Sequence, residues 1–394
     1  MAGGTITLRN PDLIGFRPLD GGPDLPVGDW TEGCPQGRAA GIPTSVRAVY
    51  AQQPRSLPPA RARMAQAGEW LPYLAWDGLG EGGTPLIPLP PPVPFADLRI
   101  KAEWMNPTGS HKDRMSPLVV ARARECGARG VICASSGNAA LSLAAYAARA
   151  GIACCVVVGP AVPAATRTAL QRLGARMIAT DDGIARWAVM RRLVDTEAWY
   201  PATNYALPAV GSNAWGVEGY RTLAFELAAE MPDGIDAVVV PTARGDTAHG
   251  LATGFQALRE AGLWRHAGPC IVAVEPFARI SAVLAGAACS TDAFPGQTRQ
   301  ASIAGDTTTD QAVRAVRDTH GMALVIGDAA ALAAQATLAA HHGLLLELCA
   351  AATFAALPRL TGTLASPGCR VVLIGTASTA LEAAQAAIRQ EIAA

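Results

Sequence analysis

The sequence has no excess of charge of either sign: 32 Lys and Arg stand against 32 Asp and Glu in 394 residues. A surface without a net field has no bias toward polyanions, so neither nucleic acid nor an anionic membrane is an expected partner. Aromatic residues make up only 5% of the chain, beside 40 Gly and 29 Pro. That balance suits an α/β enzyme with many tight strand-to-helix turns better than a β-sandwich or a coiled coil. No apolar run reaches the ~20 residues of a membrane span, because Arg, Gly or Pro interrupts each one. The opening Met1-Ala-Gly-Gly-Thr-Ile-Thr-Leu-Arg-Asn10 lacks the basic-then-apolar order of a secretory signal, so a soluble cytoplasmic protein is expected. No CxxC pair occurs among Cys34, Cys126, Cys133, Cys154, Cys155, Cys270, Cys289, Cys349 and Cys369. An odd number of cysteines, mostly in apolar runs, reads as buried reduced thiols rather than a disulfide framework or a zinc site. What the chain does have is a core: half of it is hydrophobic and 16% is charged, which excludes disorder. The length allows two domains or one large α/β unit.

Residues 1–60 are rich in Gly and Pro and show no sustained period, so an irregular arm is expected there. From about residue 97, short β-branched runs alternate with alanine-rich stretches of helical period. Strands are predicted over 130–133, 152–158, 175–179, 235–240, 270–274 and 370–374. Their continuous apolar character marks parallel strands covered on both faces. Helices are predicted from the cap-type residue Asn138 to Gly151, over 164–174 and 246–262, and from Thr379 to the C-terminus. The alternation predicts an α/β protein with two doubly wound open-sheet domains and a cleft between them.

Three loops at the ends of these elements carry polar residues out of keeping with so alanine-rich a chain. In Asn106-Pro-Thr-Gly-Ser-His-Lys-Asp-Arg-Met115, Lys112 follows a Ser able to cap a helix. The positive dipole end of that helix would disfavour its ammonium form, the state an amine must leave to act as a nucleophile. In Cys133-Ala-Ser-Ser-Gly-Asn138, Ser135, Ser136, Gly137 and Asn138 offer hydroxyls, an amide and unpaired backbone N–H groups to an anion. In Pro241-Thr-Ala-Arg-Gly-Asp-Thr-Ala-His-Gly250, Gly245 permits close backbone approach and the following N–H groups can cradle a phosphate. That loop is neither GxGxxG nor GxxxxGK[ST], which disfavours a nucleotide-dependent enzyme.

Together the loops resemble those of pyridoxal-phosphate enzymes of fold type II, in the threonine-synthase-like branch related to tryptophan synthase β and cysteine synthase. Asn106-Pro-Thr-Gly-Ser-His-Lys-Asp-Arg is similar to the family's cofactor-lysine motif and Ala134-Ser-Ser-Gly-Asn138 to its asparagine loop. Leu79-Gly-Glu-Gly-Gly-Thr-Pro-Leu86 and Glu218-Gly-Tyr-Arg-Thr-Leu-Ala-Phe-Glu226 match its LGEGxTPL and EGxKTxAFE segments. The resemblance spans roughly residues 75–385. It implies pyridoxal 5′-phosphate held covalently by Lys112, which then moves the substrate's α-proton. Asn138 would meet the ring 3′-oxygen, with Ser135, Ser136 and Gly137 on the substrate carboxylate. Arg244, Gly245, Asp246 and Thr247 would surround the phosphate, and Thr376, or its rival Ser378, would face the pyridine nitrogen. It also implies a homodimer. The expected organisation is an arm over 1–60, a large cofactor domain from 61–115 and 216–394, and a small closing domain over 116–215.

The expected reaction is elimination or replacement at Cβ or Cγ of a small amino acid. Where threonine synthases carry an Arg for the substrate phosphate this chain has Gly216, with Trp215 and Gly211 beside it, so O-phosphohomoserine is an unexpected substrate. Arg114 or Arg221 is the alternative source of that charge. Threonine synthase proper and a silent cofactor-binding relative are the alternative functions. No metal is expected: His111, His249, His266 and His320 lack ligand spacing, and Cys34 stands alone where the family often has a cysteine pair. His341-His342 reads as a helix end, and Asp306-Thr-Thr-Thr-Asp310 as a helix cap.

Overall fold

A computed structural model describes residues 7–93, 95–160, 162–181, 185–360 and 368–379. The arm is less irregular than its composition suggests. β1 (Leu8–Arg9) pairs with β4 (Tyr73–Ala75), and β2 (Leu13–Pro18) lies antiparallel to β3 (Val46–Tyr50). The register of the second pair shifts between Leu13 and Gly15, which breaks the alternation that would have marked a strand. Phe16, Val46 and Ala48 are buried there in a cluster with Tyr73 and Trp215.

Two larger sheets follow. Six strands, β5 (Leu86–Pro88), β6 (Asp97–Ala102), β11 (Ala237–Pro241), β12 (Cys270–Glu275), β13 (Met322–Val325) and β14 (Arg370–Gly375), run in the order β13-β12-β11-β14-β6-β5, antiparallel only at the β5 edge. Four more, β7 (Gly130–Ala134), β8 (Ala153–Val158), β9 (Arg176–Ala179) and β10 (Trp199–Pro201), form a parallel sheet in the order β10-β7-β8-β9. All six strands expected from the sequence are present.

Both faces of each sheet are covered, as continuous apolar runs require. Val238, Val240, Val372 and Ile374 face one core, which continues through the helices Ser116–Glu125, Asn138–Ala150 and Arg221–Glu230 to Val131 and Cys133 of the smaller sheet. Ala237, Val239, Val371 and Leu373 face the other, under Asp328–His342 and Leu348–Ala355. Asn138 is the first residue of its helix, with Gly137 in the capping position, while Gly151 closes it in the left-handed conformation. Thr309, rather than either aspartate, caps Asp310–Arg317, and His341-His342 ends its helix as expected. The helix expected beyond Thr379 lies outside the described residues. Among those described, no helix is long and apolar enough to cross a membrane.

Candidate active site

The loops that leave β7, β11 and β14 and the turn after β6 meet at one cleft of about 420 Å³. Parallel strands deliver their C-terminal ends to the same side, which is why segments 130 residues apart converge. A larger cavity, about 700 Å³, is lined by Arg17, Arg47, His249 and Arg314 and contains none of the expected catalytic residues.

Ser110 caps the short turn His111–Arg114, its hydroxyl accepting from the Lys112 amide. The turn is tied to the end of β14 by a bond from His111 N to the Thr376 carbonyl, 2.9 Å. That bond brings Lys112 and Thr376 to the same wall. Lys112 Nζ lies 3.3 Å from the Tyr220 hydroxyl. Burial pushes the amine's pKa below its ordinary value; Asp246 and Glu347 oppose the shift and Arg244 adds to it. The main cause is therefore desolvation rather than the helix dipole expected from the sequence, since the turn at Lys112 spans only four residues. The chain contains two lysines, Lys101 and Lys112. Lys101 is committed elsewhere, its amine 2.7 Å from Glu230 Oε2 and 2.8 Å from Glu226 Oε2.

Most of the recognisable motif residues hold this turn rather than face the cleft. Arg114 is wholly buried between Glu103 and Glu226. Asn106 accepts from the Gly82 amide and donates to Glu103, and Thr84 donates to Glu103. Asp113 accepts from the amide and hydroxyl of Thr108, and burial raises its carboxyl to about 6. The Leu79–Leu86, Asn106–Arg114 and Glu218–Glu226 motifs thus converge on one buried polar network beneath Lys112.

Ser135, Ser136, Gly137 and Asn138 also line the cleft. Ser136 accepts from the Gly159 amide at 3.1 Å and Ser135 from that of Gly137 at 3.3 Å, so both hydroxyl protons remain available. A Cβ on Gly137 would meet nothing within 4 Å, which marks open space above the loop. The Asn138 amide donates to Glu347 at 2.7 Å.

Gly245 adopts φ +81° and caps the helix Asp246–Glu260, whose first amides open on the cleft. Its lack of a side chain serves packing as well as conformation, because a Cβ there would lie 2.4 Å from Ala312 Cα rather than in the cleft. Asp246 is occupied: its carboxylate accepts from Ser212 at 2.6 Å and from Gln311 at 2.6 Å. Only its amide is offered to an anion. The Arg244 guanidinium lies over the Trp187 ring, 5.5 Å away, and makes no hydrogen bond or ion pair among the described residues. Thr247, Thr376 and Ser378 complete this wall.

Two expectations about the substrate pocket are corrected. Gly216 and Trp215 do not line the cleft. A Cβ on Gly216 would come within 2.6 Å of Met115 and Val119, and the Trp215 indole is buried against Phe16 and Tyr73 with its Nε1 on the Gly28 carbonyl. Arg114 and Arg221 are not substrate groups either, since each is buried and ion-paired, Arg221 to Glu218 at 2.7 Å. Among the described residues, the guanidiniums that do line the cleft are Arg186 and Arg244. Sequence reasoning also left Tyr220 and Glu347 without roles. Tyr220 sits in a quoted motif at its variable position, whereas Glu347 had no signal beyond preceding the helix Leu348–Ala355.

The pyridoxal-phosphate dependent enzyme family matches the chain over residues 78–377. The threonine synthase of Methanosarcina acetivorans is 31% identical over 301 residues, covering 71% of this chain and 70% of that protein. That of a Synechocystis species is 30% identical over 288 residues, covering 70% and 71%. Maize serine racemase superposes with a TM-score of 0.64 at 21% identity, covering 75% of this chain and 88% of that one. A fungal L-serine ammonia-lyase from Rhizomucor miehei gives 0.62 at 20%, covering 78% and 97%. At such identities the two structures speak for the fold alone.

Proposed function

Because this chain belongs to the pyridoxal-phosphate-dependent enzyme family, we propose that it eliminates or replaces a group at Cβ or Cγ of a small amino acid. The observation that carries the reading is Lys112, a half-buried lysine without an ion pair among the described residues, at the wall of a cleft that also presents helix amides and a guanidinium with no hydrogen bond or ion pair among those residues. These residues fit the cofactor: an amine, a left-handed glycine turn opening a helix, and two hydroxyls on the wall that carries the amine. When bound, pyridoxal phosphate supplies an aldehyde that condenses with amines and a ring that draws electrons from the neighbouring carbon.

In this reading Lys112 would hold the cofactor and, as a free amine, would carry the substrate's α-proton. Arg244 and the amides of Gly245, Asp246 and Thr247 take the phosphate. Asn138 turns its amide from Glu347 to the ring 3′-oxygen, and Ser135, Ser136 and Gly137 take the substrate carboxylate. Thr376, or Ser378, would offer the ring nitrogen a hydroxyl rather than a carboxylate, a partner that suits elimination better than transamination. The smaller sheet with its helices, 116–215, closes on the larger unit in this scheme, and the enzyme works as a homodimer.

A second reading, threonine formation from O-phosphohomoserine, is favoured by Arg186, which puts a further cation on the cleft besides the Arg244 given to the cofactor phosphate. The test compares kcat/KM for phosphate release from O-phosphohomoserine with that for ammonia release from serine, threonine and diaminopropionate. Efficient threonine formation selects the second reading. No turnover of any of these, with no borohydride-stable attachment of cofactor at Lys112, overturns both.

A further inference from the structure

Tyr220 is wholly buried, and its ring is positioned independently of the amine it touches. One face lies against His111, with ring centroids 5.7 Å apart. Its Cβ fills the space that Gly250 leaves open, where a second Cβ would come within 2.3 Å. Its hydroxyl meets Lys112 Nζ at 3.3 Å, and the Thr247 side chain, in the first turn after Gly245, acts on it by lowering its pKa. One phenol thus links the amine to the loop that opens on the cleft.

We propose that Tyr220 is a positioning residue for Lys112, exchanging donor and acceptor roles so that the amine keeps its place whether or not it carries a proton. The inference rests on Lys112 being the cofactor lysine. A phenol can accept from an ammonium and donate to a neutral amine, which a carboxylate cannot do. To serve both states it must stay neutral. Burial, with the carboxylates of Asp246, Glu103 and Asp113 around it, holds the Tyr220 pKa well above its ordinary value. The other charged groups facing Lys112 are Asp246 and Glu347, which favour the ammonium, and Arg244, which opposes it. The adjacent His111 is kept neutral by burial. Because a hydrogen bond is stronger to an ion than to a neutral amine, the hydroxyl on balance favours the ammonium.

The test follows Lys112 acetylation against pH by peptide mapping in the full-length chain, with and without pyridoxal phosphate. Tyr220→Phe keeps the ring and removes the hydroxyl. Without cofactor, the midpoint of Lys112 labelling is expected to fall by about 0.5–1 pH unit. With cofactor, borohydride should still attach it to Lys112 and kcat should fall more than KM changes. Incorporation of 3-fluorotyrosine at position 220, which donates more strongly and accepts more weakly, should lower the midpoint by less. It keeps the question answerable if the phenylalanine variant does not fold. An unmoved midpoint in the variants that fold reduces Tyr220 to packing and overturns the inference. Absence of borohydride label from Lys112 in the natural protein instead overturns the cofactor-lysine reading.

Discussion

Glu226 Oε1 accepts from Arg114 Nη1 at 2.6 Å, and neither side chain is more than marginally exposed. Through this pair the Arg221–Glu230 helix is joined to the turn that carries Lys112. The second Glu226 oxygen receives Lys101 from β6, so one carboxylate compensates two buried cations.

Glu226→Gln should therefore be strongly destabilising, because it removes a charge without removing its partners. A loss of about 3 kcal/mol is expected, at the lower end for a broken buried pair, since Arg114 keeps Glu103 and Lys101 keeps Glu230. Urea unfolding measures it. A change below about 1 kcal/mol would show that the remaining carboxylates suffice.

Lys112→Ala should abolish turnover and leave pyridoxal phosphate bound without a covalent link. Lys101 cannot replace it, being fully buried and held by two glutamates. Borohydride reduction and peptide mapping check this directly; label on Lys101 in the natural protein would sink the assignment.

Gly245→Ala should weaken cofactor binding at least tenfold, about 1.4 kcal/mol. Two causes contribute: a left-handed backbone that L-residues disfavour, and contact with Ala312. Adding Ala312→Gly should recover little, because the nearest atom, the Ala312 Cα, belongs to the backbone and stays in place. Unchanged affinity in the single variant would locate the phosphate elsewhere.

His249, one turn further along the same helix, gives a pH dependence of known sign. Burial lowers its pKa to about 4 from 6.5, with Glu218 and Asp246 opposing the shift. Between these values the unfolded chain binds the proton and the folded one does not, so stability rises with pH from about 4 to 6.5, by up to about 3 kcal/mol. Below pH 4 both states are protonated and the stabilisation is fully lost. Urea midpoints across this range should depend less on pH in His249→Gln; an identical profile would assign the dependence to other groups.

The strands legible in the sequence are those whose position in the sheet needs apolar side chains on both faces, such as β8 and β11. β6 was not legible as a strand, although Lys101 is entirely buried in it. Its charge looks like a surface signal until Glu226 and Glu230 are brought to it by a helix 125 residues away.

The sequence by itself determined the chemistry on offer: which residues are nucleophilic, which loops open helices, and which ordered motifs mark the family. Those are properties of short segments, and local backbone rules suffice to read them. Tertiary structure alone decided where side chains point. Gly216 follows a helical turn into Met115 and Val119, Asp246 is claimed by Ser212 and Gln311, Tyr220 reaches Lys112 from the variable position of a motif, and Glu347 enters the cleft from a segment with no catalytic pattern. A motif specifies residue order, but the direction of each side chain is settled by the packing of distant helices, and that packing is a sum over contacts no local segment contains.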